Sequence, residues 1–359
     1  MLLSELCRIQ PLEQAQALHA SFYTQAHWRE VERQHIVPDS WQLVAHGGDL
    51  RASGDHAVAD IAGRPILIVR QPDGSLRAFH NVCRHRAGPL ATCNGSGARA
   101  LHCQYHGWTY GLDGQLRTAT DMQGAQGFDV STIRLTPVQV QEWQGLVFVA
   151  LSDAVPPLAS VVAGIRERIA PAELSSMQFA KRDRFRIACN WKVYVDNFLE
   201  GYHLPFVHPG LSRVLDYRVY ETALQPWYSL QHSPLRNNDG IYGDGDAFYY
   251  FIYPNTMLNI TPGRLQTNRV LDDGPGHCIV EFDYYYSADP AVQSRMAAEQ
   301  AFSDAIQRED IVICEQVQRG LLSGSYSAGR LNPRRESGVW HFHNLLRAAY
   351  VQAQAQPHD

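Results

Sequence analysis

Short runs of hydrophobic residues, separated by turn-forming residues, make up the part of the chain that follows residue 38. They have the length and composition of β-strands and lie at residues 41–45, 58–61, 66–69, 76–82 and 145–151. The sequence QPDG at residues 71–74 is typical of a hairpin turn between two of these runs. Residues 39–151 are therefore predicted to form a small all-β domain.

A helical pattern precedes this domain. Apolar side chains recur at near-helical spacing after Pro11, at Leu12, Ala15, Leu18 and Phe22. This spacing predicts a helical arm over residues 1–38 that packs on another part of the protein.

The part of the chain after residue 151 mixes helical and strand patterns. Two prolines in residues 152–158 mark a boundary, and residues 161–169 have a helical pattern. The segments 248–260 and 278–287 are rich in aromatic and β-branched residues, which indicates strands of a second sheet. The longest helix is predicted at residues 290–322, with Pro290 at its start and Gly324 just past its end. The chain is thus predicted to be an α+β protein whose second domain covers residues 152–359.

Composition and charge exclude several classes of protein. With 359 residues, 45% of them hydrophobic and 19% charged, the chain can bury sizeable cores. A net charge of −5 gives no electrostatic reason to expect a nucleic-acid partner. No apolar run is long enough to cross a membrane, and the first residues lack the features of a secretion signal. Seven cysteines, an odd number, are typical of reduced thiols, so we expect a cytoplasmic protein.

Two mixed cysteine–histidine pairs are the strongest chemical signal. They are Cys83-x-His85 and Cys103-x-x-His106, with seventeen residues between them. Two thiolates on one iron and two imidazoles on the other are the ligands of a Rieske [2Fe–2S] cluster, and each pair supplies one of each kind. A tetrahedral zinc site is the alternative, although zinc fingers usually pair cysteine with cysteine and histidine with histidine. A disulfide between the two cysteines is a weaker alternative.

A second candidate metal site lies in the second domain. His203 and His208 are five residues apart, so on one straight helix their side chains would diverge. Pro205 disfavours helix in the residue before it, so we expect the helix that carries Glu200 and His203 to end near Leu204. His208 could then turn back toward His203. Two imidazoles and one carboxylate form the ligand set of non-haem Fe(II) oxygenases.

The carboxylate of this site is expected on the predicted helix at residues 290–322. Asp310 lies on the apolar stripe of that helix, whose members are Phe302, Ile306, Ile313 and Val317. Glu309 also has apolar neighbours three and four residues away. Periodicity alone therefore does not choose between Glu309 and Asp310.

The whole chain resembles the α subunits of Rieske non-haem iron oxygenases. The CxH and CxxHGW pairs at residues 83–108, the pattern NWKxxxDNxxExYHxxxxH at 190–208 and the pattern QxEDxxxCExVQRGL at 307–321 match the family in its order. The resemblance implies a helix-grip (START/SRPBCC-like) catalytic domain, with an antiparallel sheet and a long C-terminal helix, after the Rieske domain. It also implies a [2Fe–2S] cluster and one mononuclear Fe(II), with Asp310 as the third iron ligand.

The resemblance further implies a homotrimer in which the cluster of one subunit reduces the iron of its neighbour. In the family, a carboxylate three residues before the first histidine bridges the two centres, and Glu200 holds that position here. Asp196 is the second candidate for this role. The electrons would come from a separate NAD(P)H-dependent reductase carrying flavin and iron–sulfur groups, since the chain lacks a Rossmann or flavin fingerprint.

Four segments resemble the branch of the family that includes choline monooxygenase and acts on quaternary ammonium compounds. They lie at residues 251–259, 280–285, 314–321 and 341–346. This resemblance implies O2-dependent hydroxylation or N-demethylation of a small choline- or betaine-like substrate, recognised by aromatic faces. Two or three of twelve aromatic residues in the second domain are expected to supply these faces: Tyr194, Phe198, Tyr202, Phe206, Trp227, Tyr228, Tyr249, Phe251, Tyr253, Tyr284, Tyr285 and Tyr286. Plant choline monooxygenases have one more residue between the acidic position and the first histidine, which this chain lacks. Hydroxylation of an aromatic acid is the alternative activity, and a Rieske electron carrier without catalysis is the alternative of another class.

Overall fold

The structure is a computed structural model that describes residues 2–236 and 241–355. The chain divides into two compact units, one formed by Val37–Leu158 and the other by Met1–Ile36 together with Ala159–Asp359. In sequence, the first of these is an insertion between two parts of the second. The division into 1–38, 39–151 and 152–359 stays a prediction about domains.

Residues 37–158 form a β unit built on two antiparallel sheets. Its nine strands are β1 (Gln42–His46), β2 (His56–Ile61), β3 (Arg64–Arg70), β4 (Leu76–His80), β5 (Leu101–His102), β6 (Thr109–Tyr110), β7 (Leu116–Thr118), β8 (Pro137–Trp143) and β9 (Leu146–Ala150). The larger sheet has the order β1-β9-β8-β4-β3-β2, and β5-β6-β7 form the smaller one. All residues of β9 are buried, as expected of a strand with an uninterrupted apolar run. The two sheets carry the loops that contain both cysteine–histidine pairs.

The other unit contains a single seven-stranded antiparallel sheet. Its strands are β10 (Gln178–Ile187), β11 (Glu221–Gln225), β12 (Tyr228–Pro234), β13 (Asp246–Ile252), β14 (Thr256–Thr261), β15 (Arg264–Asp272) and β16 (Cys278–Tyr286). They are arranged in the order β10-β16-β15-β14-β13-β12-β11, and each neighbouring pair is antiparallel. The α+β class and the antiparallel sheet predicted for this part of the chain are confirmed.

Ten α-helices accompany the sheets. Their bounds are α1 (Leu3–Leu6), α2 (Ser21–Thr24), α3 (Ala26–Val31), α4 (Leu158–Val161), α5 (Ile165–Ile169), α6 (Trp191–Phe198), α7 (Leu204–Val207), α8 (Leu211–Val214), α9 (Pro290–Leu322) and α10 (Ser337–Ala355) within the described residues. A π-helical turn, Glu32–Ile36, follows α3. Single 3-10 turns lie at Leu12–Gln14, Gly47–Asp49, Val130–Thr132, Leu174–Ser176 and Tyr217–Val219. In the described residues, no helix is both long enough and apolar enough to cross a membrane.

The long helix α9 has the predicted bounds, but its buried face is not the predicted apolar stripe. The buried side chains beyond its first turn belong to Glu299, Ser303, Gln307, Cys314 and Gln318, and most of these are polar. Val317, which was assigned to the stripe, is 46% exposed. Two of these residues, Ser303 and Gln307, line a cavity whose walls include other polar groups, so hydrogen-bonding side chains face inward there.

The continuous helical arm predicted from Leu12 to Phe22 is wrong. The backbone between the 3-10 turn Leu12–Gln14 and α2 is not helical, and its polar groups bond to the segment before α10. Ala17 N–H donates to Gly329 O at 2.9 Å, and Ala20 N–H donates to Ser327 O at 2.7 Å. Leu18 and Phe22 are nevertheless buried, because they pack in the core of this unit.

A buried ion pair joins three parts of the same unit. Lys192 at the start of α6 and Glu32 in the π turn are 0% and 2% exposed, and Lys192 Nζ lies 2.5 Å from Glu32 Oε1. Trp191 Nε1–H and the Tyr350 hydroxyl also donate to this carboxylate, at 2.7 and 2.5 Å. The N-terminal segment, α6 and α10 are thus held at one point.

We expect Lys192→Met to lower the free energy of unfolding by about 3–5 kcal/mol, because it leaves the Glu32 carboxylate buried without a cation. Denaturation by urea, followed by tryptophan fluorescence, measures the change. Combining Lys192→Met with Glu32→Gln should recover part of the loss, since no isolated charge is then buried. Arg166→Gln, which removes an exposed pair with Glu173, serves as the control and should leave stability unchanged. Equal stability of Lys192→Met and the native protein would contradict this account.

Candidate metal centres

The two cysteine–histidine pairs lie on loops with the same backbone geometry. In the first loop, Cys83 N–H donates to Gly88 O and Ala87 N–H to Cys83 O, at 2.8 and 3.0 Å. The second loop repeats this arrangement around Cys103, with bonds of 2.9 and 3.0 Å. The fourth residue after each cysteine is left-handed, with φ of 57° at Ala87 and 72° at Gly107. Two matched loops therefore present one thiol and one imidazole each.

The two thiols are more deeply buried in the protein than the two imidazoles. Cys83 and Cys103 are each 2% exposed, whereas His85 and His106 are partly exposed at the loop tips, with ring centroids 4.6 Å apart. This arrangement fits a cluster with one iron on the inner thiolates and the other on the outer imidazoles. His85 Nδ1 is buried and has no hydrogen-bond partner within residues 2–236 and 241–355, which suits an atom that binds a metal.

The surroundings of the cysteines support the same fit. A Cβ at Gly88 would lie 2.8 Å from Cys103 Sγ, so the backbone approaches the sulfur as closely as a glycine allows. The Tyr110 hydroxyl lies 3.3 Å from Cys83 Sγ and accepts the N–H of Arg84 at 3.0 Å. Burial, and after it the contact with Cys83, raises the pKa of Tyr110, so this hydroxyl stays protonated and can donate to the sulfur.

The second candidate site gathers His203, His208 and Asp310. One ligand atom from each lies within 4.8 Å of the others, so these three residues could hold a metal ion. Asp310 Oδ1 is 2.9 Å from His208 Nε2 and 4.0 Å from His203 Nε2. The two rings have centroids 5.0 Å apart and an interplanar angle of 76°. Two imidazole nitrogens and one carboxylate oxygen thus converge, as a facial iron site requires.

A carboxylate lies behind each imidazole. His203 Nδ1 is 2.6 Å from Glu200 Oε1, and His208 Nδ1 is 2.6 Å from Glu309 Oε2. A bond of this kind fixes the proton on Nδ1 and leaves Nε2 free to bind a metal. Glu309 and Asp310 therefore occupy different places: Asp310 faces the Nε2 atoms of both histidines, and Glu309 contacts the outer nitrogen of one. Periodicity left Glu309 open as a ligand and did not indicate this position behind His208.

Asn197 is a further residue of this site that was not predicted from the sequence. Its Nδ2 donates to Asp310 Oδ1 at 2.6 Å, which orients the carboxylate toward the histidines. No periodicity or spacing argument indicates this contact, because Asn197 lies on α6 and Asp310 on α9.

The local structure that brings the two histidines together differs from the prediction. Helix α6 ends at Phe198, so Glu200 and His203 lie beyond it, and Pro205 stands in the first turn of α7 rather than at the end of a helix. Proline is tolerated there because the first N–H groups of a helix have no intrahelical partner. The chain bends at Gly201, where a Cβ would lie 2.8 Å from the Tyr220 ring. Helix α7 then carries the chain around to His208.

A narrow cavity of about 100 Å³ opens beside the three ligand atoms. Its walls combine aromatic residues with polar groups from β14, β15 and α9. Of the twelve aromatic residues that we considered as candidates for the substrate site, three line it: Tyr194, Phe198 and Tyr249. The others are Tyr202, Phe206, Trp227, Tyr228, Phe251, Tyr253, Tyr284, Tyr285 and Tyr286. A cavity of this size suits a small organic molecule.

Glu200 and His203 also border a second depression, a groove of about 570 Å³ within the same unit. Asp196 lies in this groove but contacts neither histidine of the candidate iron site through an observed hydrogen bond. Its carboxylate instead accepts the Tyr23 hydroxyl at 2.6 Å and lies 2.8 Å from His343 Nε2. Glu200 is thus the carboxylate that borders both the cavity and the groove.

Comparison with known proteins gives matches over most of the chain. Residues 40–134 match the Rieske [2Fe–2S] domain, and residues 174–352 match the ring hydroxylating alpha subunit (catalytic domain). Choline monooxygenase from Arabidopsis thaliana is 35% identical, over 94% of this chain and 83% of that protein. The carnitine monooxygenase oxygenase subunit of Escherichia coli (strain K12) is 30% identical, over 94% and 95%.

Two solved structures have a fold similar to that of this chain. The quaternary ammonium Rieske monooxygenase CntA in complex with L-carnitine superposes with a TM-score of 0.84 and 27% identity, covering 95% of this chain and 99% of that one. Naphthalene 1,2-dioxygenase bound to phenanthrene has a TM-score of 0.77 at 16% identity, over 98% of each chain, which supports the fold alone. The Rieske match favours an iron–sulfur cluster over zinc at the first site.

Proposed function

Because the chain belongs to the Rieske non-haem iron oxygenase α subunits, in the branch with choline and carnitine monooxygenases, we propose that it oxidises a small quaternary ammonium compound by hydroxylation or N-demethylation. The enzyme is an O2-dependent oxidoreductase that contains a Rieske cluster and a mononuclear iron. The observation that carries the proposal is the convergence of His203, His208 and Asp310 on a small cavity with aromatic walls.

Each candidate residue has a role in this proposal. Cys83, His85, Cys103 and His106 hold the cluster, and His203, His208 and Asp310 hold the iron. Iron held by these three residues would supply the activation of O2. Glu200 and Glu309 fix the tautomer of the two histidines, and Asn197 orients Asp310.

The cavity walls have the chemistry that a quaternary ammonium group needs. Such a group has no N–H to donate, so it is recognised by aromatic faces, each contributing about 0.5–2 kcal/mol. Tyr194, Phe198 and Tyr249 offer such faces close to the ligand set. His208, which is 1% exposed, is shielded from bulk water at this site.

We further propose that the protein works as a homotrimer with a separate NAD(P)H-dependent reductase. The relative from Escherichia coli is named an oxygenase subunit, and a CntA structure is described in terms of inter-subunit electron transfer. The groove beside Glu200 and Asp196 offers a surface for a neighbouring subunit. In this arrangement Glu200, between groove and cavity, is the bridging carboxylate, and Asp196 is the second candidate.

The two alternative activities have less support. An aromatic acid is the alternative substrate, but the likeness to naphthalene 1,2-dioxygenase is one of fold alone and does not favour it. A Rieske electron carrier would have no use for three converging ligands in the other unit.

A substrate panel with a surrogate reductase tests the proposal. We expect quaternary amines to stimulate O2 uptake that is coupled to the release of formaldehyde or another aldehyde, and the purified protein to hold three iron atoms per chain, two in the cluster and one at the second site. An aromatic acid serves as the comparison substrate. If it yields a hydroxylated product while quaternary amines give uncoupled peroxide, the substrate class is wrong and the oxygenase assignment survives. Two iron atoms per chain and no turnover would favour the electron carrier.

A further inference from the structure

A buried arginine lies in the wall of the cavity that contains the candidate iron ligands. Arg264 is the first residue of β15, is 2% exposed, and lines the same cavity as His203, His208 and Asp310. Its Nε atom has no hydrogen-bond partner among residues 2–236 and 241–355. Burying a guanidinium group whose N–H donor has no partner costs free energy, unless a ligand accepts the hydrogen bond or a nearby anionic group compensates the charge.

The positive charge of Arg264 is only partly compensated by a neighbouring carboxylate. Glu299 on α9, which is 0% exposed, lies 3.8 Å from Arg264 Nε, beyond hydrogen-bond distance. The same carboxylate is bonded at 2.6 Å by Arg295 Nε. Two guanidinium groups therefore share one carboxylate, which leaves an excess of one positive charge. Burial also raises the pKa of Glu299, against the effect of the two arginines, which further limits its ability to neutralise them.

A row of amides extends from Arg264 along the cavity wall. Arg264, Gln266 and Asn268 alternate along β15 and therefore face the same side of the sheet, where all three line the cavity. Arg264 Nη2 donates to Gln266 Oε1, and Gln266 Nε2 donates to Asn268 Oδ1 at 2.8 Å. Ser303 Oγ donates to Gln266 Oε1 at 3.0 Å. The guanidinium is thus held in one orientation by side chains that belong to the cavity.

Aromatic rings reinforce this orientation. The guanidinium lies over the rings of Tyr242 and Tyr284, 5.5 and 5.4 Å from their centroids. Stacking of this kind fixes the plane of an arginine and leaves its edge available for hydrogen bonding. A planar carboxylate is the group that matches this edge best, because it can accept two parallel N–H bonds.

We propose that Arg264 binds the carboxylate of the substrate, so that the substrate is a zwitterion: a quaternary ammonium carboxylate of the betaine type rather than an amino alcohol such as choline. This inference rests on the proposed function for the ammonium half of the molecule. It adds the second half, because the N–H groups of Arg264 can donate to a carboxylate and choline carries none.

Equilibrium binding to the native, metal-loaded protein under anaerobic conditions tests the proposal without turnover. The probes are γ-butyrobetaine, its neutral amide at the carboxyl end, choline, and the carbon isostere of γ-butyrobetaine in which a tert-butyl group replaces the trimethylammonium group. We expect γ-butyrobetaine to bind about 10- to 100-fold more tightly than its amide and than choline, the range expected for hydrogen bonds to a charged group. Equal binding of the acid and the amide would overturn the proposal.

Arg264→Gln should remove this preference, so that the acid and its amide bind alike. Arg295→Gln is the matched control, because it removes the other guanidinium from Glu299 without changing a residue that lines the cavity, and it should keep the preference. If Arg264→Gln fails to fold, the double variant Arg264→Gln/Glu299→Gln removes both buried charges together, and thermal melting verifies its fold. Retention of the preference in a folded Arg264 variant contradicts the proposal.

The carbon isostere separates this inference from the proposed function. Suppose that the isostere binds as tightly as γ-butyrobetaine and that its binding depends on Arg264. The carboxylate site would then be supported, and recognition of the ammonium group would be refuted. Turnover of choline with no preference for carboxylates would keep the proposed function and refute the role of Arg264. Absence of binding by all four probes would refute both.

Discussion

Replacing Asp310 with alanine should remove the mononuclear iron and abolish turnover, while the visible spectrum and the EPR signal of the Rieske cluster remain. Asp310 Oδ1 approaches the Nε2 atoms of both histidines, at 2.9 and 4.0 Å, so its loss leaves two imidazoles that cannot complete the site. The four residues proposed to hold the cluster belong to the other unit, within Val37–Leu158. Iron analysis, turnover and the cluster spectrum of the same sample measure the effect.

Glu309→Gln is the matched control, because the two acidic residues are neighbours on α9. Glu309 contacts His208 Nδ1 at 2.6 Å and does not belong to the group that could hold a metal. We expect this variant to keep its iron with an affinity lowered about 10- to 100-fold, as is typical when a partner behind a ligand histidine is changed. Full activity of Asp310→Ala together with loss of iron in Glu309→Gln would reverse the assignment of the two carboxylates.

Glu200→Gln should keep both metal centres and still accept electrons from the reductase, but should slow the reoxidation of the reduced cluster in the presence of substrate and O2. The amide carries no charge and can present an N–H where the carboxylate accepts a bond from His203 Nδ1. The backbone N–H of His203, 3.1 Å from Glu200 Oε2, would also lose part of its bond. We expect the rate of reoxidation, followed by stopped-flow absorbance, to fall at least about tenfold, the lower end of such effects.

Asp196→Asn provides the comparison for this experiment. Asp196 borders the same groove as Glu200, but its bonds are to Tyr23 and His343 rather than to an iron-site histidine. We expect it to alter stability more than electron transfer. Unchanged reoxidation in Glu200→Gln, with slow reoxidation in Asp196→Asn, would make Asp196 the bridging residue.

The candidate metal-binding residues were accessible to sequence reasoning because metal chemistry restricts both residue type and spacing. Cys83, His85, Cys103 and His106 stand close together in the chain, and so do His203 and His208. Asp310 is a different case, because its distance along the chain from the histidines exceeds any local pattern. Periodicity could not distinguish it from Glu309, and the resemblance to a family was needed to name it.

Other features depend on contacts between distant parts of the chain. Leu18 N–H donates to His343 Nδ1 across a separation of 325 residues, so no local pattern could show that this segment leaves the helical conformation. The row Arg264, Gln266 and Asn268 has the alternation of any strand with a polar face, and only the sheet and α9 together reveal that this face is buried. From sequence alone, polar residues of this kind are predicted to be exposed to solvent, although here they line a cavity.

The interrupted order of the two units has a consequence for synthesis on the ribosome. The residues up to Ile36 belong to the unit that resumes at Ala159, so the 122 residues from Val37 to Leu158 are made between the two parts. At about 5–20 residues per second, this takes roughly 6–24 s. During that interval the inserted β unit can complete its fold. Leu18, Phe22 and Trp28 cannot yet be buried, because the residues that form the rest of their core have not been synthesised. The segment before the inserted unit is therefore made earlier than that unit but packs into its own core later.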